Sequence, residues 1–256
     1  MNKHYPLETK GLSVTFNAGS SNEVVAFSDI TFTLKPDEIL AIVGPSGCGK
    51  STLFNVIAGL QPATVGEVFV NGTRVLDAKG QVGYMLQKDM LLPWRSVRDN
   101  VVLGLEIKGV PSDERKAVAD RLIAAYGLKG FEESKPGTLS GGMRQRVAFM
   151  RTLALDPDVI LLDEPFSALD FQTRTLLQAE VLDIISKQRK SAILVTHDIG
   201  EAVTMADRVM ILSRRPGRIK RIVDIDLQRE ERDPVKLRSN ARYQDYFQLL
   251  WSELDI

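Results

Sequence analysis

The sequence contains a single cysteine, Cys48, in 256 residues, which excludes an internal disulfide and a cysteine-built zinc cluster. It has no apolar run approaching the ~18 residues that a membrane span needs, and no basic-then-apolar leader at its start. A cytoplasmic chain is the expectation. Neither sign of charge is in excess: 33 Lys and Arg balance 33 Asp and Glu, so no overall field draws in nucleic acid or anionic lipid. Internal repeats, low-complexity tracts and sustained heptads are missing as well. Partners must then be recognised locally.

What is present is core material. With 44% apolar content, the chain can bury one large domain, or one domain and a small subdomain. Residues 11–43 and 66–76 are rich in β-branched and aromatic side chains, and Asn71 with Gly72 marks a hairpin turn. From about 97 to 156 the character is helical, broken at "KGVPSDE", "GLKGFEESKPG" and "LDP". Strand-like runs lie at "EILAIV", "VGYM", "VILLD", "AILVT" and "RVMIL", the last three separated by helical stretches. Continuous apolar strands alternating with helices predict an α/β fold: a parallel sheet covered on both faces, with a helical insertion.

Between "EILAIV" and the helical "STLFNVIAGL" stands "GPSGCGKS", residues 44–51, which fits G-x-x-x-x-G-K-[ST] at every position. The context is a strand, a glycine-rich turn and a helix start. Backbone N–H groups of such a turn wrap phosphates, Lys50 reaches the terminal ones and the Ser51 hydroxyl ligates magnesium. Cys48, at the helix start, is expected to ionise easily, so that alkylation blocks nucleotide binding and nucleotide protects. Ligands in such sheets sit at the carboxyl ends of the strands. There Asp163 is placed to hold magnesium or cap a helix, and Glu164 to activate an attacking water or to be a solvated turn residue. His197 and Gln87 stand at two further strand ends. A second helix start, "LSGGMRQR" from residue 139, has Ser140 as a cap and glycines that admit an anion.

These motifs, in this order and spacing, resemble the ATP-binding cassette (ABC) ATPases over nearly the whole chain. The resemblance implies a P-loop NTPase core with an N-terminal antiparallel β subdomain and a helical signature subdomain. It implies one ABC domain over residues 1–230, with the helical subdomain inserted at about 88–156, and a helical tail at 231–256. ATP and Mg2+ are the implied ligands. The implied ATP set is Phe16, as the adenine-stacking aromatic, with Gly44, Pro45, Ser46, Gly47, Cys48, Gly49, Lys50, Ser51 and Thr52. The implied metal set is Ser51, Gln87 and Asp163, and the catalytic set is Glu164 as base, His197 as switch and Gln87 as sensor. Leu139, Ser140, Gly141, Gly142 and Met143 form the implied signature loop, and Ser167, Ala168, Leu169 and Asp170 the D-loop. In this family two cassettes pack head to tail, each signature loop closing on the partner's ATP.

The stretch "LLPW" followed by R-x-V-x-D-N-V, together with "DEPFSALD" and the tail, resembles the ATPase subunits of nitrate, sulfonate, taurine and bicarbonate importers. That implies a homodimer of cassettes on the cytoplasmic face of the inner membrane. It would work on separate permease subunits and, through them, an extracytoplasmic substrate-binding protein, without nucleic acid. Met90, Leu91, Leu92 and Trp94, around Pro93, either close the core under the helices or dock that permease. The alternative, an ABC ATPase of translation or repair not coupled to transport, would carry two cassettes, a coiled coil or a basic face. Asp233 and Pro234 are expected to start a final helix whose stripe of Leu237, Tyr243, Tyr246, Phe247, Leu250, Trp251 and Leu254 packs on its own domain or contacts a partner.

Overall fold

The computed structural model describes residues 5–77, 80–229 and 232–254. Three strands, β3 (Ile39–Val43), β7 (Val159–Asp163) and β8 (Ser191–Val195), are buried at every position. Unbroken apolar runs require this, because neither face of such a strand tolerates water. They pair in parallel with β6 (Gly83–Met85) and β9 (Arg208–Leu212), while β10 (Ile219–Asp224) adds an antiparallel edge; the order is β10-β9-β3-β8-β7-β6. A second, antiparallel sheet has the order β2-β1-β4-β5, from β1 (Leu7–Phe16), β2 (Val24–Leu34), β4 (Val65–Val70) and β5 (Thr73–Arg74). Asn71 and Gly72 both have positive φ, 49° and 76°, as the tight turn between β4 and β5 demands.

The period of two along the strands divides the core. Leu40, Ile42, Leu161 and Ile193 pack on α1 (Lys50–Ile57) and the antiparallel sheet. Ala41, Val43, Ile160 and Leu194 face the helices on the other side. Those helices are α2 (Val97–Val101), α3 (Leu103–Ile107), α4 (Ser112–Ala125), α5 (Gly141–Leu153), α6 (Phe171–Lys187), α7 (Ile199–Met205) and α8 (Ala241–Glu253). The expected α/β architecture with a parallel sheet, an antiparallel sheet and a helical layer is what the chain forms. Among the described residues, no helix is long and apolar enough to cross a membrane.

Two local expectations need correction. β10 has no counterpart in the sequence reading: it is a half-exposed edge whose "IKRIVD" carries charges between its apolar positions. Asp233 does cap a turn, accepting from the N–H groups of Val235 and Lys236 at 2.9 and 3.1 Å, but this turn is a short 3-10 piece, Lys236–Ser239. The final helix starts instead at Asn240, whose side chain accepts from Arg242 N. Its stripe buries Tyr243 and Leu250 and packs against α7, while Trp251 stays exposed. The boundary expected between residues 230 and 231 lies outside the described residues.

Candidate functional site

The loop after β3 enters α1 through Gly49, at φ +100°, where a Cβ would press to 3.1 Å from the Ala26 carbonyl oxygen. Only glycine holds that backbone without strain. No side chain caps α1, so its first N–H groups remain available to an anion. The Lys50 ammonium is buried and folded back, donating to the carbonyls of Gly44 at 2.7 Å and Pro45 at 3.0 Å. A phosphate arriving at the loop would offer it a stronger, charged acceptor.

A cavity of about 340 Å³ opens on this loop, lined by Ser46, Gly47, Gly49, Lys50, Ser51 and Thr52 together with Phe16, Val24, Ala26, Glu164 and Arg215. Phe16 ends β1, paired with Val24 and 39% exposed, so its ring is presented rather than packed. Gly44, Pro45 and Cys48 shape the loop but do not line the cavity. Cys48 is a correction: its side chain is fully buried in the apolar layer under α1. Burial pushes the thiol pKa up, against the lowering effect of Lys50. It is neither readily ionised nor presented to reagents.

Four strand ends converge at the mouth of the cavity. Glu164 follows β7 at a positive φ of 45°, its N–H donating to the Val195 carbonyl. One of its carboxylate oxygens, Oε2, is met by Gln87 Nε2 at 3.0 Å and by His197 Nδ1 at 3.2 Å. Asp163 is buried beside it; burial raises its pKa, and hydrogen bonds from Ser51 and the Tyr84 hydroxyl oppose the rise. Tyr84 Oη lies 3.3 Å from Asp163 Oδ2 and 3.4 Å from Asn55 Oδ1. Among the described residues no group of three or more His, Cys, Asp or Glu could hold a metal. A hydroxyl, a carboxylate and an amide oxygen completed by phosphates are nevertheless the donors that magnesium takes, since it needs few protein ligands. The residues present fit it.

The 139–143 segment stands apart from this cavity. Ser140 caps α5, its hydroxyl accepting from Met143 N at 3.3 Å, and is exposed. Leu139 is buried. Gly142 packs so close to α6 that a Cβ would lie 2.6 Å from Thr173 Cγ2. Gly141 faces a cleft shared with Gln87, Asp89, Arg144, Ala168 and Leu169. Arginines of α5 fasten the segment after Gln87: Arg144 Nε lies 3.1 Å from Asp89 Oδ2, and Arg151 donates to the carbonyls of Asp89 and Met90. Of the apolar group beyond, Leu91 is buried and Leu92 half-buried, whereas Met90 and Trp94 are 58% and 70% exposed. In the 167–170 loop, Ser167 donates from N and Oγ to the Glu164 carbonyl, and Asp170 caps α6.

A family model described as ABC transporter matches residues 27–167, the span from β2 through the cradle and signature helix to Glu164 and Ser167. The chain belongs to the ABC transporter family. ATP binding and hydrolysis follow from that membership. A taurine import ATP-binding protein of Roseobacter denitrificans is 38% identical over 254 residues, 96% of this chain and 94% of the relative. An aliphatic sulfonates import ATP-binding protein of Burkholderia cenocepacia is 43% identical over 223 residues, 86% and 81% of the two chains. Among solved structures, a dimeric ATP-binding cassette in a post-hydrolysis state with ADP and Pi superposes with a TM-score of 0.76 at 29% identity, over 87% of this ABC chain and all of that one. Tyr84 and Arg215 were not singled out in the sequence: the one is a polar residue inside an apolar strand, the other lies in an exposed loop 164 residues from the cradle's Ser51, and only the fold brings them in.

Proposed function

We propose that this chain is the ATP-binding and hydrolysing subunit of an importer for a small solute such as a sulfonate or taurine, working as a homodimer on separate membrane permease subunits. It would act from the cytoplasmic face of the inner membrane, with a substrate-binding protein outside, and without nucleic acid. The observation that carries the reading is the meeting of Gln87 and His197 on one oxygen of Glu164 at the mouth of the cradle. Adenine would stack on Phe16, and the phosphates would lie on the 44–52 loop with Lys50 drawn to the terminal ones. Mg2+ would be held by Ser51, Asp163 and Gln87, and when bound would neutralise charge on the β- and γ-phosphates. Glu164 accepts the proton of the attacking water as the bond to the leaving ADP oxygen breaks, and His197 holds that carboxylate in place.

The second anion site belongs, in this reading, to a second copy. None of residues 139–143 lines the nucleotide cavity of its own chain, so the signature loop, with the 167–170 loop beside it, would close on the partner's ATP. A ligand held by both halves favours the closed dimer by its differential affinity. The names of the taurine and sulfonate relatives support import, and the exposure of Met90 and Trp94 beside the fastened Asp89 supports a permease contact there. The test is Glu164→Gln: turnover should drop on the order of 10² to 10⁴ while ATP still binds and dimers accumulate on gel filtration. Near-normal turnover would remove Glu164 from the mechanism.

A further inference from the structure

Two loops flank Glu164, and they leave different strands: 167–170 follows β7, and 196–198 follows β8. One side chain touches both. Arg174, on the first turn of α6, donates from Nη2 to the Leu169 carbonyl at 3.0 Å, and its Nη1 lies 3.5 Å from Asp198 Oδ2. Its Nε is buried and has no hydrogen-bond partner. The planar guanidinium makes this bridge as a fixed fork, which a lysine ammonium cannot reproduce at two separated acceptors.

The 196–198 loop is held from the other side as well. Asp198 Oδ1 accepts from Glu201 N at 3.1 Å, which starts α7, while Asp198 N donates to Thr196 Oγ1 at 3.0 Å. The Thr196 hydroxyl in turn donates to the buried Glu201 carboxylate at 2.9 Å. His197 therefore sits, 63% exposed, on a loop whose backbone is clamped on both flanks. The 167–170 loop is anchored on the Glu164 carbonyl at its start and on the α6 cap at its end, and between them it exposes Ala168 beside the α5 terminus. Leu169 lies next to that exposed residue, and its carbonyl is what Arg174 holds.

We propose that Arg174 is a positioning residue that joins the 167–170 loop to the 196–198 loop, so that contact at the first loop sets the place of His197 and, through it, of Glu164. This rests on the hydrolytic reading of Glu164 and His197. Its effect is on turnover rather than on nucleotide capture, because neither Arg174 nor Asp198 lines the nucleotide cavity.

The experiment is a double-mutant cycle on the full chain with ATP, using Arg174→Met and Asp198→Asn, which keeps the α7 cap and removes the charge. Each single change should lower kcat about tenfold, with KM for ATP and the thermal midpoint held, and the double variant should fall no further. Arg174→Lys should recover only part of the loss. Additive losses, or wild-type kcat in Arg174→Met, would overturn the proposal. If Arg174→Met does not fold, Asp198→Asn compared with Arg174→Lys reads the same coupling. His197→Ala separates the two levels. A variant that keeps full turnover removes His197 from the mechanism and the proposal with it; a loss there with none in Arg174→Met sinks the proposal alone.

Discussion

Two helices in this molecule begin at anion-receptive ends, and they are finished differently. α1 starts at Gly49 with no side-chain cap, facing an open cavity, with Lys50 buried in the loop. α5 starts at Ser140, which satisfies Met143 N itself and stands exposed at the surface. Every α-helix leaves four N–H groups unpaired at its start, and a missing cap costs about 1 kcal/mol. α1 leaves its groups for a ligand and faces them onto a cavity that its own chain lines, so one chain can hold a nucleotide there. α5 caps its own first turn through Ser140 and lines no part of the nucleotide cavity of its chain, so in the proposed reading its anion comes with a second copy. The contrast is therefore between an end left open over a cavity of its own chain and an end that is capped at the surface.

The sharpest way to break that comparison is Ser140→Asp. Aspartate caps as well as serine and its charge suits a helix N-terminus, so the fold should be as stable or more so by a few tenths of a kcal/mol. Placed against an incoming phosphate, the same charge repels. Turnover and ATP-driven dimerisation should fall about 100-fold or more, while nucleotide affinity of the single chain stays unchanged. A variant that turns over normally would mean that Ser140 meets no phosphate. The complementary change is Lys50→Met. It removes the charge at the cradle, and charge-assisted hydrogen bonds of this kind contribute about 1.5 to 3 kcal/mol, so ATP affinity of the single chain should fall roughly 10- to 100-fold by titration calorimetry. Equal affinity would place the Lys50 ammonium off the phosphates.

The same contrast explains what was legible in the sequence. The cradle is eight consecutive residues whose function is made by backbone, so its local pattern carried most of its geometry. The central strands announced themselves because β3, β7 and β8 are buried on both faces and tolerate only apolar residues. The assembly around Glu164 was legible only as separate strand ends. That Gln87 and His197 share one oxygen of Glu164, that Tyr84 reaches Asp163, and that Arg174 spans Leu169 and Asp198 are contacts between distant segments, and no local rule contains them. Cys48 shows the reverse failure. The helix-start rule for thiols is local, and it lost to a tertiary fact, full burial. β10 escaped notice because an edge strand keeps charges on its outer face.

A third helix start tests whether caps or charges govern these ends, with an effect read on stability rather than on turnover. α7 begins at Asp198, and behind the cap lies Glu201, buried, with one carboxylate oxygen that has no hydrogen-bond partner. Burial raises its pKa to about 8; Asp198 and Glu164 add to the rise, and the Thr196 hydroxyl and Arg174 oppose it. The folded chain therefore keeps a proton that the unfolded chain releases near its ordinary carboxylate value. Stability from this group is fully present below that value, falls as pH rises toward about 8, and levels off above it. The slope has a ceiling of about 1.4 kcal/mol per pH unit for one proton. Glu201→Gln keeps the shape and cannot titrate, so its thermal midpoint should decline less than that of the wild type between about pH 5 and pH 8. Parallel declines would show that Glu201 is charged in the fold at neutral pH, and that the α7 start tolerates buried negative charge which its neighbours, with only Arg174 to offset two acids, do not otherwise explain.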